Sequence, residues 1–257
     1  MEAVMKRSFL GYDSAILTCM VQADNPDRIK ELITASRPEG AEAFGMQLCK
    51  LKAEYRRPEI YRELFEFASP EPVYVTNYRG HGINDGKSDE MLASELLEIA
   101  ECGATLIDVM GDYFDPAEFE LTMNDTAVKK QTELIAELHK RGAEVLMSSH
   151  VKKFIPAVEV LRIALEHQRR GADISKIVTG AGNREEEIEN MRITALLKKE
   201  LKIPFLFLAV GECKILRRIG GELGSCMYLT VHEYDEYATA TQPLLVDVKA
   251  IRDILRR

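Results

Sequence analysis

The stretch Ala143–Gly180, AEVLMSSHVKKFIPAVEVLRIALEHQRRGADISKIVTG, reads as two short apolar strands separated by one amphipathic helix. The first strand, Ala143–Ser148, runs out onto Ser149 and His150. Pro156 opens a helix whose Val160, Leu161, Ala164 and Leu165 recur at helical spacing, and Gly171 closes it. The second strand, Asp173–Thr179, carries Lys176 in its middle. A strand–helix–strand unit of this length makes a right-handed crossover, so its two strands lie side by side and parallel. His150 therefore stands at the C-terminal mouth of one strand, with Lys176 near the same end of its neighbour.

Lys176 is flanked by Ile174, Ile177 and Val178. Strands of a parallel sheet are covered on both faces, and desolvating an ammonium is costly. Such burial lowers a lysine's pKa and frees its amine to attack a carbonyl as a Schiff-base nucleophile. The competing reading is a strand-end lysine that snorkels to water. His150 alone reads more readily as a satisfied structural group than as a base. On adjacent strands, the two point to an imine-forming lysine served by a proton-shuttling histidine, with Lys50 as the next candidate nucleophile.

Outward from this unit the pattern repeats. Strands are expected at Ser14–Val21, Ala43–Leu51, Pro72–Tyr78, Thr105–Met110, Pro204–Val210 and Cys226–Val231. Helices are expected from Pro26 to about Ser36, and over Pro58–Ala68, Asp89–Cys102, Asp125–Arg141, Arg184–Leu201, around Lys214–Ile219 and Val248–Leu255. Eight alternations without a composition break predict an all-parallel sheet covered by helices, and at 257 residues a single (β/α)8 TIM barrel spanning 1–257. No G-x-G-x-x-G follows the first strand, which argues against an open dinucleotide-binding sheet. The glycine cluster Gly80, Gly82 and Gly86 reads as a mobile active-site loop. The active site belongs at the C-terminal ends of the strands.

A net charge of −8 with both signs interspersed argues against nucleic acid as a partner, and no apolar run is long enough for a membrane span. The amino terminus lacks the apolar core of a signal peptide. Five scattered cysteines without CxxC spacing favour reduced thiols and a cytoplasmic location. No metal-ligand spacing of the HxH or HExxH kind occurs, so no metal is expected.

The polar residues near strand ends are Gln47 and Cys49, Asn77 with Arg79, Asp108, His150, Lys176, Arg218 and Gln242. Asp108, set among Leu106, Ile107, Val109 and Met110, is expected to pair with something inside, or else to cap a helix from outside. The Arg218 guanidinium could clamp a substrate carboxylate, whereas Arg217 reads as a surface charge. His81 is a candidate second acid–base group in the glycine-rich loop, and Asp85 there has no assigned role.

Several blocks resemble the type I 3-dehydroquinate dehydratases: Ser148–Pro156 their strand-five signature, Gly171–Ile177 their lysine strand, Arg217–Ser225 their late arginine–glycine–serine segment, and Gln242 their closing glutamine. The resemblance implies a lyase of the shikimate pathway of aromatic amino acid biosynthesis, converting 3-dehydroquinate to 3-dehydroshikimate and water. It implies no cofactor beyond a covalent imine on Lys176, and a small-molecule carboxylate substrate, and it allows a homodimer. His150 matches the family's general acid–base, Arg218 its carboxylate-binding arginine, and Ser225 and Gln242 its late substrate contacts. Gln47, Asn77, Arg79 and Asp108 complete the expected substrate-binding set. The chain departs from the family on strand two, where Gly45, Gln47 and Cys49 replace a glutamate, an arginine and an aspartate. Met110 replaces a glutamate on strand four. The reaction class is therefore better specified than the substrate; a related imine-forming lyase or class I aldolase on another cyclic or keto acid is the alternative.

Overall fold

The structure, a computed structural model, describes residues 8–212 and 214–257. The amino-terminal residues 1–7, read above for a leader, and Cys213 lie outside the described residues. Eight strands and eight longer helices alternate: β1 Ile16–Met20, α1 Pro26–Glu39, β2 Ala43–Gln47, α2 Pro58–Ala68, β3 Val73–Thr76, α3 Asp89–Glu101, β4 Leu106–Met110 and α4 Asp125–Lys140. They continue as β5 Glu144–His150, α5 Ala157–Arg169, β6 Ile174–Ala181, α6 Arg184–Glu200, β7 Phe205–Gly211, α7 Leu216–Leu223, β8 Met227–Thr230 and α8 Leu245–Leu255. All strand pairs are parallel, and β1 pairs with both β2 and β8. The ring closes where the Cys226 amide donates to the Phe205 carbonyl at 2.8 Å, beside the start of β7. The result is the expected (β/α)8 barrel.

Local chemistry explains the helix ends. The Asn25 side chain accepts from the Arg28 amide at 2.9 Å, Pro26 fills the first helical position, and Gly40 leaves α1 with φ 100°. Ser88 and Asn124 cap α3 and α4 in the same way. Strand two is shorter than its apolar pattern suggested, because Leu48–Lys50 folds into a 3-10 turn. Strand five runs two residues further than expected, so that His150 is its last member.

Alternation sorts each strand into two faces. Ile16, Ala43, Leu106, Leu146, Ile174, Leu206 and Met227 point inward and fill the floor of the barrel, where Phe9 plugs the N-terminal end. Leu17, Phe44, Val75, Ile107, Val145 and Met147 point outward under the helices, and Ile177 and Phe207 do the same beneath α5 and α6. Each such side chain contributes about 1.5–3 kcal/mol by burial, which fixes the register: a one-residue slip would turn Lys176 into the helix layer. Among the described residues no helix is long and apolar enough to cross a membrane.

Candidate active site

Above the apolar floor, a cavity of about 230 Å³ opens at the C-terminal ends of the strands. At its base lies Lys176, 3% exposed. Its Nζ donates to Tyr78 Oη at 2.5 Å, to Tyr74 Oη at 3.0 Å and to Asp108 Oδ2 at 3.0 Å. An ammonium has three protons, and all three are used. Asp108 accepts in addition from Tyr74 at 2.5 Å, Tyr78 at 2.8 Å and Ser148 at 2.5 Å. Burial pushes its carboxyl up, but the Lys176 charge, then His150 and the hydroxyl donors, outweigh this and hold it below the usual carboxylate range. Burial and the Asp108 charge drive both tyrosines well above 10, so they remain donors. The lysine expected in an apolar strand thus has a counterion and two phenols, and Asp108 has its expected partner inside. The signal for the phenols was present in the sequence: Tyr74, Thr76 and Tyr78 recur every second residue along the inward face of β3 and just past its end.

His150 faces the same cavity from the end of β5, its Cα register opposite Val178 of β6. Its Nδ1 lies 2.8 Å from Glu120 Oε1 in the β4–α4 loop. A carboxylate oxygen accepts, so Nδ1 is the donor toward Glu120 and Nε2 is the ring nitrogen left to the cavity. Glu120 has φ 50° and follows Phe119 at φ 62°, left-handed conformations that side chains seldom adopt. A buried scaffold holds them. Ser149 Oγ donates to the Glu120 carbonyl at 2.9 Å and is itself 3.1 Å from His167 Nε2. Arg170 grips the carbonyls of Gly111 and Thr122 from behind. Gly111 permits this approach, for a Cβ there would sit 2.6 Å from the Glu120 carbonyl oxygen. Nothing in the spacing of an acidic loop announced Glu120.

The two adjacent arginines exchange their expected positions. Arg217 is 6% exposed and lines the cavity, and among the described residues only its Nε has a protein partner, the Ala209 carbonyl at 2.8 Å. Among the described residues no carboxylate pairs with it, and burial pulls its pKa down to about 10. Arg218 is half-buried, outside the cavity, and bonds the Lys214 carbonyl at 3.2 Å. Helix phase decides this: Leu216, Arg217 and Gly220 form the buried face of α7. A buried guanidinium with free N–H groups is costly until an anion meets it, which makes Arg217 the carboxylate-binding candidate.

Other expected residues scatter. Gln47 and Gln242 line the cavity, and Gln242 Oε1 accepts from Gln22 at 3.0 Å. Arg79 also lines it, but its five N–H donors go to Asp89 and Asp112, including a 2.7 Å bond from Nε, so it ties loops together. Asn77 points away from the cavity and bonds Arg56, Glu95 and Asn84. Ser225 lies at the opposite end of the barrel, where its hydroxyl accepts from the Phe207 amide at 3.2 Å. Cys49 leaves the strand in the 3-10 turn and does not line the cavity. Gly45 is inward, but the Met20 sulfur occupies the room above it, 2.1 Å from where a Cβ would stand. In the glycine-rich loop Asn84 is fully buried and Gly82 rests on the Cys49 carbonyl, whereas Gly80 and Gly86 border open space. His81 lines the cavity, its pKa lowered first by burial and then by Lys152 and His150. Lys50 reaches Gln22 at 2.6 Å and the Tyr237 carbonyl, beside the cavity rather than in it. Among the described residues no group of three metal-ligating side chains converges.

Two further groups were not anticipated. Thr76 Oγ1 and Thr241 Oγ1 are buried, line the cavity and have no hydrogen-bond partner among the described residues. Orphaned hydroxyls aimed at a cavity are groups a ligand can satisfy.

Fold and cavity together define a (β/α)8-barrel protein with a lysine, a histidine and an arginine lining one cavity at the C-terminal ends of its strands. The type I 3-dehydroquinase profile matches residues 83–257. The 3-dehydroquinate dehydratase of Aromatoleum aromaticum is 24% identical over 96% of this chain and 92% of its own. That of Alkaliphilus oremlandii is 36% identical over 35% of this chain and 36% of its own. Among solved structures, the Geobacillus kaustophilus 3-dehydroquinate dehydratase superposes with a TM-score of 0.82 at 16% identity, covering 96% of this chain and 93% of that one. The Clostridium difficile type I enzyme, carrying covalently modified comenic acid, superposes at 0.80 with 16% identity over 98% of each chain. The chain belongs to the type I 3-dehydroquinase family.

Proposed function

We propose that the protein is a Schiff-base lyase that removes water from 3-dehydroquinate to give 3-dehydroshikimate. The observation that carries this reading is the convergence of Lys176, His150 and Arg217 on one cavity at the C-terminal end of the barrel. Arg217 holds the substrate carboxylate through its free guanidinium N–H groups. The Lys176 amine adds to the ketone, and the resulting protonated imine is an electron sink. His150 Nε2 then takes the neighbouring carbon-bound proton, giving a neutral enamine, and returns a proton to the β-hydroxyl as it leaves as water. Glu120 keeps the imidazole in the tautomer this needs. Thr76 and Thr241 are free to bond substrate oxygens. Incubation with 3-dehydroquinate, read by the ultraviolet absorbance of the conjugated product, tests the reaction directly.

Met20 over Gly45 favours a second reading. Where the family holds a charged side chain toward the ring hydroxyls, this chain places a thioether, and Arg79 is fully engaged by Asp89 and Asp112. A ring hydroxyl left without a partner costs about 1–3 kcal/mol. The same lysine would then serve a less hydroxylated cyclic or keto acid, as a lyase or a class I aldolase. Steady-state kinetics separate the two: a kcat/KM on 3-dehydroquinate above about 10⁴ M⁻¹s⁻¹ favours the first reading and refutes the second.

A further inference from the structure

We propose that Tyr78 carries the protons of imine formation between Lys176 Nζ and the substrate's carbonyl oxygen, leaving His150 to the carbon-bound proton and the departing β-hydroxyl. This assignment rests on the imine reading above. Tyr78 Oη is 2.5 Å from Nζ and donates to Asp108 Oδ2 at 2.8 Å. Its ring lines the cavity and meets the His150 ring edge-on, centroids 4.9 Å apart. Tyr74 also bonds Nζ and lines the cavity, but it is fully buried at the cavity's base, whereas Tyr78 is half-buried and stands against His150. Tyr78 is therefore the phenol on the substrate's side of the lysine.

The resting ammonium has no lone pair, since its three protons are held by Tyr74, Tyr78 and Asp108. To react, it passes one proton to Asp108 Oδ2. The amine then attacks, the C–N bond forms, and the C=O π pair moves onto oxygen. That oxygen is one bond from the carbon now joined to Nζ, within reach of a hydroxyl already bonded to Nζ. Tyr78 gives its proton to the oxygen and is reprotonated by Asp108, which returns to carboxylate. A second proton then passes from the nitrogen through Tyr78 to the same oxygen, the C–O bond breaks, and water leaves. Of the ammonium's three protons, one stays on the iminium and two depart in the water. Burial and Asp108 keep Tyr78 well above 10, so it relays in concert with its neighbours rather than standing as a phenolate.

The test is rapid-quench borohydride trapping, followed by intact mass, on wild type, Tyr78→Phe and His150→Ala. The probe is 3-dehydroquinate or 3-oxocyclohexanecarboxylate, whichever the wild type traps. Tyr78→Phe keeps the ring and removes only Oη; its trapping rate is expected to fall about 10²-fold. His150→Ala is expected to trap at the wild-type rate while product formation collapses. A solvent deuterium slowing of trapping, retained in His150→Ala, is a second reading of the same relay that does not require the Tyr78 variant to fold. Equal trapping rates in wild type and a folded Tyr78→Phe, or no solvent isotope effect in wild type, overturn the Tyr78 assignment alone. No adduct in wild type with either probe overturns the imine reading, and this assignment with it.

Discussion

His150 Nδ1 is held 2.8 Å from Glu120 Oε1 by a loop that turns through two left-handed residues to reach it. The carboxylate fixes which ring nitrogen faces the cavity. Glu120→Gln retains the shape but can present an N–H instead of an acceptor, releasing the tautomer. Turnover is expected to drop by about 10²-fold, with KM little changed. Gly111→Ala, which drives a methyl into the Glu120 carbonyl, is expected to mimic it in milder form. A Glu120→Gln enzyme with normal kcat would reduce Glu120 to a loop fastener.

The two arginines give a paired test. Arg217→Ala removes the cavity's unpaired guanidinium and is expected to lower kcat/KM by about 10²-fold, mostly through KM, in line with charge-assisted hydrogen bonds. Arg218→Ala, on the outer side of α7, is expected to change it little. The opposite ranking would restore the assignment of Arg218 that the family resemblance implied.

This pair also marks how far the sequence could be read. Alternation and capping disclosed all eight strand–helix units, because burial of a face dictates spacing. Lys176 and His150 were legible because they sit on regular strands whose inward face can be counted. Arg217 and Arg218 follow an irregular turn, where nothing in the pattern sets the helix phase. Asn77 was misplaced by one step of alternation, whereas Tyr78, one step on, faces the lysine. Ser225 matched a motif yet lies at the far end of the barrel, since a glycine-rich segment carries no directional signal. Glu120 depends on a left-handed turn held by Arg170 and Ser149, a tertiary arrangement with no local signature.

Thr76 offers a sign-specific expectation. Its buried hydroxyl has no partner among the described residues, so Thr76→Val is expected to leave stability unchanged or raise it by up to about 1 kcal/mol. If a substrate oxygen uses that hydroxyl, the same change raises KM by about 5- to 10-fold, one hydrogen bond's worth. A thermal melt and a KM measurement on one variant check both signs; unchanged KM would exclude Thr76 from the binding set.

His167 predicts acid sensitivity. Burial, reinforced by the Arg170 charge, pulls its pKa from 6.5 down to about 3, and its ring is bonded between Ser149 and Ser175. The unfolded chain binds a proton at this residue that the folded chain refuses. Stability is therefore full above about pH 6.5 and is lost as pH falls toward 3, by on the order of several kcal/mol. Chemical denaturation across this range is expected to show the slope, and His167→Gln to flatten it. An unchanged slope in that variant would assign acid unfolding to other groups.

The central claim is a covalent imine on Lys176, and peptide mapping after borohydride reduction addresses it most directly. With 3-dehydroquinate or 3-oxocyclohexanecarboxylate, the account predicts one stable adduct on the peptide containing Lys176, and no adduct in Lys176→Met. An adduct that persists in Lys176→Met, or that maps to Lys50, would contradict it.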